Sequence, residues 1–281
     1  MRECAGRRFY HNGKIKACKD FPERLLWEGE NLYEVVRVIE GVLLFWEDHL
    51  ERLYATARLT GRQIPEDMAA LGKVVQRVIE EDGITDGNLR ILYHYEGAAA
   101  RPRDLLVYRV PHHYPPEELY RKGVSCMLYQ AERPRPAAKI VHAGLRLSVY
   151  QQLLARGDYE ALLVDRTGHI TEGSRSNVFF IREDTLLTAP DGMVLAGISR
   201  KHLLALCHKE GITVARRPVK VDELERMEAA FLTGTSIHVL PIRQVEAQPF
   251  DPGHPLLQRI IHLYRQHVEA YVKERKKKKE E

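Results

Sequence analysis

One stretch constrains this chain more than any other: Glu160 to Phe180, EALLVDRTGHITEGSRSNVFF. An apolar strand, Ala161 to Val164, runs into the polar turn Asp165-Arg166-Thr167-Gly168. Glu172 then leads into Gly173-Ser174-Arg175-Ser176-Asn177, before the apolar run Val178 to Ile181. A carboxylate between two strands of this kind has to be paired with a cation, or it costs several kcal/mol. What it pairs with is the question the sequence poses.

With 281 residues the chain can bury a good core, as one large domain or two modest ones. The net charge of +4 says little, because Arg275 to Glu280 reads RKKKKE and accounts for all of it. No general nucleic-acid surface follows from that balance. Cys4, Cys18, Cys126 and Cys207 are scattered, without a CxxC or a Cys/His cluster of metal-ligand spacing. Reduced thiols in a cytosol are the expectation. The N-terminal MRECAGRRFYHNG lacks the apolar run of a signal peptide, and no run approaches the roughly 20 apolar residues of a membrane span. A soluble cytoplasmic protein is expected.

Along the chain, Arg8 to Cys18 reads as a hairpin turning at Asn12-Gly13, both tolerant of positive φ. Leu32 to Val38 is a β-branched strand. Two helices follow, one capped by Asp48 and ending at Gly61, the other from about Pro65 to Asp82. Strands at 89–95 and 104–110 close the first half. PHHYPPEE, at 111–118, packs three prolines into eight residues and marks a break. The predicted division is a small N-terminal domain 1–111, a linker 112–118 and a larger strand-rich domain 119–281. The last helix spans 254–274, with a solvated, frayed lysine tail beyond it. The alternation gives an α+β class, strand-rich halves with helices packed outside.

Several local patterns could carry chemistry. Gly197-Ile198-Ser199-Arg200 opens a helix, and free N–H groups there could take an anion, although a plain serine cap reads the same. Thr233-Gly234-Thr235-Ser236 follows an apolar strand and could cradle a phosphate or simply turn. Arg52, beside Leu53, is either a phosphate clamp or a snorkelling surface arginine. Lys139 lies in the apolar pentad AAKIV, where desolvation would make its amine nucleophilic; a strand-edge lysine is the plain alternative.

Taken together, ITEGSRSNVFFI, LAGISR and FLTGTS, with YEVVRV and DHLERLYATARLTG upstream, resemble the class IV aminotransferases. The resemblance covers about 32–242. It implies a two-domain fold type IV enzyme that uses pyridoxal 5'-phosphate (PLP), with its active site between a small and a large domain. It implies Lys139, 33 positions before Glu172, as the Schiff-base lysine. Ile140-Val141-His142 depart from the polar residues usual after that lysine. Glu172 matches the glutamate that pairs with the pyridine nitrogen. Arg52, Ile198, Ser199 and Thr235 match phosphate-binding positions. Tyr33 matches a tyrosine of the substrate wall, to which Tyr95, Arg103 and Ser236 are added as candidate substrate contacts.

The implied activity is ping-pong transfer of an amino group between a branched-chain or D-amino acid and a 2-oxo acid, by a homodimer. An aminodeoxychorismate lyase is the first alternative, although Glu34-Val35-Val36 lacks the threonine that the lyase resemblance wants. A cofactor-free binding module of the same fold is the second. No membrane or nucleic-acid partner is expected.

Overall fold

The structure is a computed structural model and describes residues 3–112 and 114–280. His113 of the expected linker and the end of the lysine tail lie outside the described residues. The chain divides into two compact units. One holds Met1–His113, Ala138–Val141 and Glu269–Glu281; the other holds Tyr114–Ala137 and His142–Val268. In sequence the break falls inside the proline-rich stretch. Two pieces expected in the large domain count instead with the small one. Ala138–Val141 joins it because Tyr33 N–H donates to Lys139 O at 3.3 Å and Val141 N–H to Asn31 O at 3.1 Å. The chain's end joins it because Tyr271 packs on Phe45, ring centroids 4.9 Å apart, and Arg275 ion-pairs with Glu47 at 2.6 Å.

The first unit contains β1 (Arg8–His11), β2 (Lys14–Ala17), β3 (Glu30–Ile39), β4 (Val42–Leu43), α1 (Trp46–Leu59), α2 (Met68–Asp82), β5 (Gly87–Tyr95) and β6 (Asp104–Val110). The strands form one antiparallel sheet in the order β2-β1-β6-β5-β3-β4. Asn12 and Gly13, at φ 45° and 87°, make the hairpin between β1 and β2. Helix α1 begins at Trp46, two residues before the expected cap. In α2 the cap is Asp67, whose carboxylate accepts from Ala70 N–H at 2.7 Å.

Strand alternation gives this sheet two different faces. Leu89, Ile91, Tyr93 and Tyr95 of β5 face a core made with Leu50, Leu53, Leu71 and Val75 of α1 and α2. Leu92 faces the other way, with Phe9, Cys18, Leu106 and Tyr108. On that second face Cys4 is bonded to Cys18, which corrects the expectation of four reduced thiols. The N-terminal segment returns along the hairpin and brings the two Cα atoms to 5.8 Å, inside bridging range. Cys126 and Cys207 stay free and buried.

The second unit contains α3 (Glu117–Lys122), β7 (Val124–Gln130), α4 (Ala143–Arg156), β8 (Glu160–Val164), β9 (His169–Gly173), β10 (Asn177–Arg182) and β11 (Thr185–Thr188). It continues with α5 (Ile198–Lys209), β12 (Val214–Arg216), β13 (Val219–Lys220), β14 (Ala229–Gly234), β15 (His238–Val245), β16 (Gln248–Pro249) and most of α6 (Pro255–Glu280). Its ten-stranded sheet runs β12-β11-β10-β14-β15-β7-β8-β9-β13, with β16 added on β15. The pairs β11–β12, β15–β7 and β7–β8 are parallel. Val178 and Phe180 of β10, with Ala230 and Leu232 of β14 and Leu240 and Ile242 of β15, fill its core. The turn at Asp165 is closed by its own carboxylate, which accepts from Thr167 and His169 N–H, both at 2.9 Å. The last helix runs further than the expected 254–274: α6 continues to Glu280, with Lys278 paired to Glu274 and Lys276 to Glu40. Among the described residues no helix is long and apolar enough to cross a membrane.

Candidate active site

In the first unit, α1 carries His49 and Arg52 three residues apart, hence on one helix face. Both reach Glu34 of β3, whose side chain has no exposure. Arg52 grips it with both ends of its fork, Nε to Oε1 and Nη2 to Oε2, each 2.7 Å. His49 Nδ1 lies 2.8 Å from Oε2 and donates, since an ionised carboxylate only accepts. Burial alone would raise the Glu34 pKa. The Arg52 guanidinium and the hydrogen bonds from Arg52 and His49 outweigh it and hold the carboxyl well below the usual range. Burial pushes His49 down, against the pull of Glu34, and Arg52 and Lys139 push the same way.

Lys139 is held by its backbone. Its N–H donates to Thr56 Oγ1 at 3.3 Å, and its neighbour Ile140 bridges Leu32 of β3. Its Nζ sits 4.8 Å from the centre of the Tyr33 ring. Arg90 of β5 lies over the same ring at 5.4 Å, so one phenol carries two cations.

The second unit answers the opening question about Glu172. This carboxylate is 3% exposed. Its Oε1 is 3.2 Å from Arg133 Nε, and its Oε2 accepts from Leu195 N–H at 3.1 Å. Arg133 also donates to Ser174 O at 2.8 Å. A second buried acid, Glu160, organises the turn that follows, accepting from Ser174 Oγ at 2.6 Å and Ser176 Oγ at 2.9 Å. Arg175 is largely exposed; it donates to Tyr159 O at 2.9 Å and lies 3.7 Å from Glu160.

From Leu195 the chain enters α5. Asn177 Nδ2 donates to Leu195 O at 2.9 Å, and Asn177 stands opposite Thr233 in the β10–β14 register. A Cβ at position 197 would come within 2.1 Å of Asn177 Oδ1, so any other residue there has to displace that side chain. Gly197 is the N-cap and no side chain caps the helix, so the first-turn N–H groups of Ile198 and Ser199 have no partner within it. The serine-cap alternative therefore does not describe this helix. Thr233 Oγ1 is buried without a hydrogen-bond partner, and Thr235 and Ser236 form the turn just beyond it. A helix N-terminus beside the orphaned Thr233 hydroxyl suits a compact anion such as a phosphate.

The expected residues thus fall into two sets. Lys139, Tyr33 and Arg52 are in the first unit; Glu172, Ile198, Ser199, Thr235 and Ser236 are in the second. Tyr95 joins neither set. It is wholly buried in the core against α1 and α2, its hydroxyl donating to Gln63 O at 2.9 Å, because β5 alternation turns it away from the Tyr33 face. Arg103 is exposed and ion-paired with Glu96.

Sequence reasoning passed over Arg133, Glu34, His49 and Arg90. For Arg90 a signal existed: in GNLRILYHY, Asn88, Arg90 and His94 alternate with Leu89, Ile91, Tyr93 and Tyr95, and all nine are buried. A polar face on a fully buried strand asks for a reason. For Arg133, inside ERPRPAAK, no signal precedes the fold.

Known proteins resemble this chain in sequence and in fold. The amino-transferase class IV family profile matches residues 31–245. The chain is 28% identical to a D-alanine aminotransferase of Bacillus licheniformis over 258 residues, 87% of this chain and 90% of that one. It is 23% identical to a branched-chain-amino-acid aminotransferase of Pseudomonas aeruginosa, over 91% of each. Its fold matches that of a branched-chain aminotransferase from the archaeon Thermoproteus uzoniensis, solved with norvaline, at a TM-score of 0.81 and 22% identity over 94% of this chain and 95% of that one.

Proposed function

This chain belongs to the class IV aminotransferases, a family of PLP-dependent enzymes, and we propose that it moves an amino group between a branched-chain or D-amino acid and a 2-oxo acid in a ping-pong cycle. The observation that carries the reading is the buried Glu172 in one unit with the uncapped α5 and the orphaned Thr233 hydroxyl. A pyridine ring with a phosphate arm fits such donors and acceptors. When bound, PLP supplies an aldehyde that condenses with amines and a ring that takes up the electron pair left at the substrate Cα.

In this reading Lys139 holds PLP through Nζ and moves the proton at the substrate Cα. Glu172 keeps the ring nitrogen protonated, so the ring stays a good electron acceptor. In the second unit the Ile198 and Ser199 N–H groups and Thr235 would hold the phosphate; in the first, Arg52, its Nε and Nη2 already on Glu34, is the further cation that this reading assigns to it. Tyr33 and Ser236 line the substrate.

The test is optical. Purified protein should be yellow, and Lys139→Ala should lose both that absorption and the activity. A Lys139→Ala protein transaminating at the parent rate would overturn the lysine assignment. A panel of L and D forms of alanine, glutamate, leucine, valine and lysine sorts the donors. Pyruvate released from aminodeoxychorismate without any 2-oxo acid would assign the lyase reaction instead.

The reading includes a homodimer in the cytoplasm. A stripe of Leu147, Tyr150 and Leu154 on α4, 57%, 58% and 65% exposed, supports self-association. Light scattering should return twice the 32.4 kDa chain mass, and cell fractionation checks the location.

A further inference from the structure

The Cys4–Cys18 bond lies in the first unit, its two residues 5% and 9% exposed. Both cysteines line an open cavity of about 680 Å³, together with Arg7 and Lys19. Those two cationic side chains belong to exposed residues, and no Asp or Glu is among the residues lining the cavity. A wall that holds a sulfur–sulfur bond beside two positive charges suits one kind of solute, a thiol that also carries negative charge.

Main-chain hydrogen bonds hold the surroundings of this bond without its help. Ala5 N–H donates to Arg109 O at 2.8 Å, and the Asp82 carboxylate accepts from Arg7 and Arg8 N–H at 2.6 and 2.9 Å. On the other side Cys18 N–H donates to Arg7 O at 3.0 Å. From Arg8 onward, β1 is paired with β2 and then β6. Opening the bond therefore frees Cys4 and the residue before it, while the sheet stays paired. The two cysteines remain close enough to join again. That is a local event, with no need for the unit to unfold.

We propose that the Cys4–Cys18 bond is a thiol-exchange site, whose cavity takes small thiols of negative charge drawn in by Arg7 and Lys19. The incoming thiolate attacks one of the two sulfurs. A new sulfur–sulfur bond forms, the Cys4–Cys18 bond breaks, and its electron pair leaves on the other cysteine, which takes a proton from water. A second thiolate then attacks the sulfur of the bound thiol. The two small thiols leave joined, and the second cysteine leaves as a thiolate. Two small thiols are oxidised as the cysteine pair is reduced, and the oxidised dimer reverses the sequence. Each cysteine thiolate forms beside the same two cations, which favour it.

The probes are mercaptosuccinate, a thiol with two carboxylates, and 2-mercaptoethanol, a neutral one, each added to the full-length protein. Reduction is followed by alkylating the freed cysteines and weighing the peptides, which separates Cys4 and Cys18 from the free Cys126 and Cys207. Arg7→Gln with Lys19→Gln should slow mercaptosuccinate by about tenfold at low salt and leave 2-mercaptoethanol unchanged. Lys19→Glu, a change at one exposed residue, should slow mercaptosuccinate selectively as well. Raising the salt should bring parent and variants together. Acid quenching should trap one mercaptosuccinate on Cys4 or Cys18. If the variants react with mercaptosuccinate at the parent rate, or slow for both thiols alike, the proposal is wrong. It is equally wrong if the bond opens no faster than the unit unfolds, as measured by hydrogen exchange. A purified protein that lacks the bond and forms none with oxidised mercaptosuccinate would also overturn it.

Discussion

Glu34 has no exposure and takes three hydrogen bonds from Arg52 and His49, so its charge has a fully assigned environment. Glu34→Gln breaks a buried pair and leaves Arg52 uncompensated, which should cost about 3–5 kcal/mol in urea unfolding. The pH dependence has a definite sign. The Glu34 carboxyl is held low in the folded state, so its stabilisation is complete above the ordinary carboxylate value of about 4.3 and is lost as pH falls below it. His49, also held low, adds a contribution present above about pH 6.5 and lost on acidification. The parent should therefore weaken steeply in acid, and Glu34→Gln less so. Arg133 gives a different test. Arg133→Met strips the Glu172 carboxylate of its cation, so the melting temperature should drop with PLP absent. It should recover in part when PLP is added, because the ring nitrogen then supplies a partner.

Helix α5 shows what a single element contributes. Its N-terminus is left open because Gly197 caps it without a side chain, while Asn177 crowds the same spot. Gly197→Ala should push Asn177 aside and weaken PLP binding, read by spectral titration, more than it lowers the melting temperature. Asp67→Ala, by contrast, removes an ordinary cap and should cost about 1 kcal/mol in thermal unfolding, without changing PLP affinity.

The contrast between these elements shows what could be read in advance. The hairpin at Asn12-Gly13, the Asp165 turn and the helix over 198–209 were legible, because their turn and cap chemistry is local. Glu172 was legible as a problem, an acid in an apolar frame, but not its partner, since Arg133 lies in a proline-rich loop 39 positions earlier. Tyr95 misled because an aromatic residue near a strand end carries no mark of which face it takes. Only the register against β3 and β6 decides that. The Cys4–Cys18 bond was illegible because its reason is the path of the N-terminal segment, which composition does not encode.

At the scale of the whole molecule, the lysine tail is a plain end of α6. Its pairs, Lys276 with Glu40 and Lys278 with Glu274, are well exposed. Deleting residues 276–281 should change stability by no more than about 1 kcal/mol and leave transamination intact, as checked by melting and by the donor panel. Neither unit is a continuous length of chain, and the lysine on which the reading turns is in a four-residue visit to the first unit. That visit bears on how such a protein can be recombined. Exchanging 1–113 for a relative's would import a foreign β3 and keep the native Ala138–Val141 beside it. The main-chain bridge would pass between two histories, with Thr56 and Tyr33 arriving from one and Lys139 from the other. A working chimera then requires crossovers around 138–141 and near 269 as well as at 113, so shuffling libraries cut at the proline-rich stretch alone should be depleted of active members.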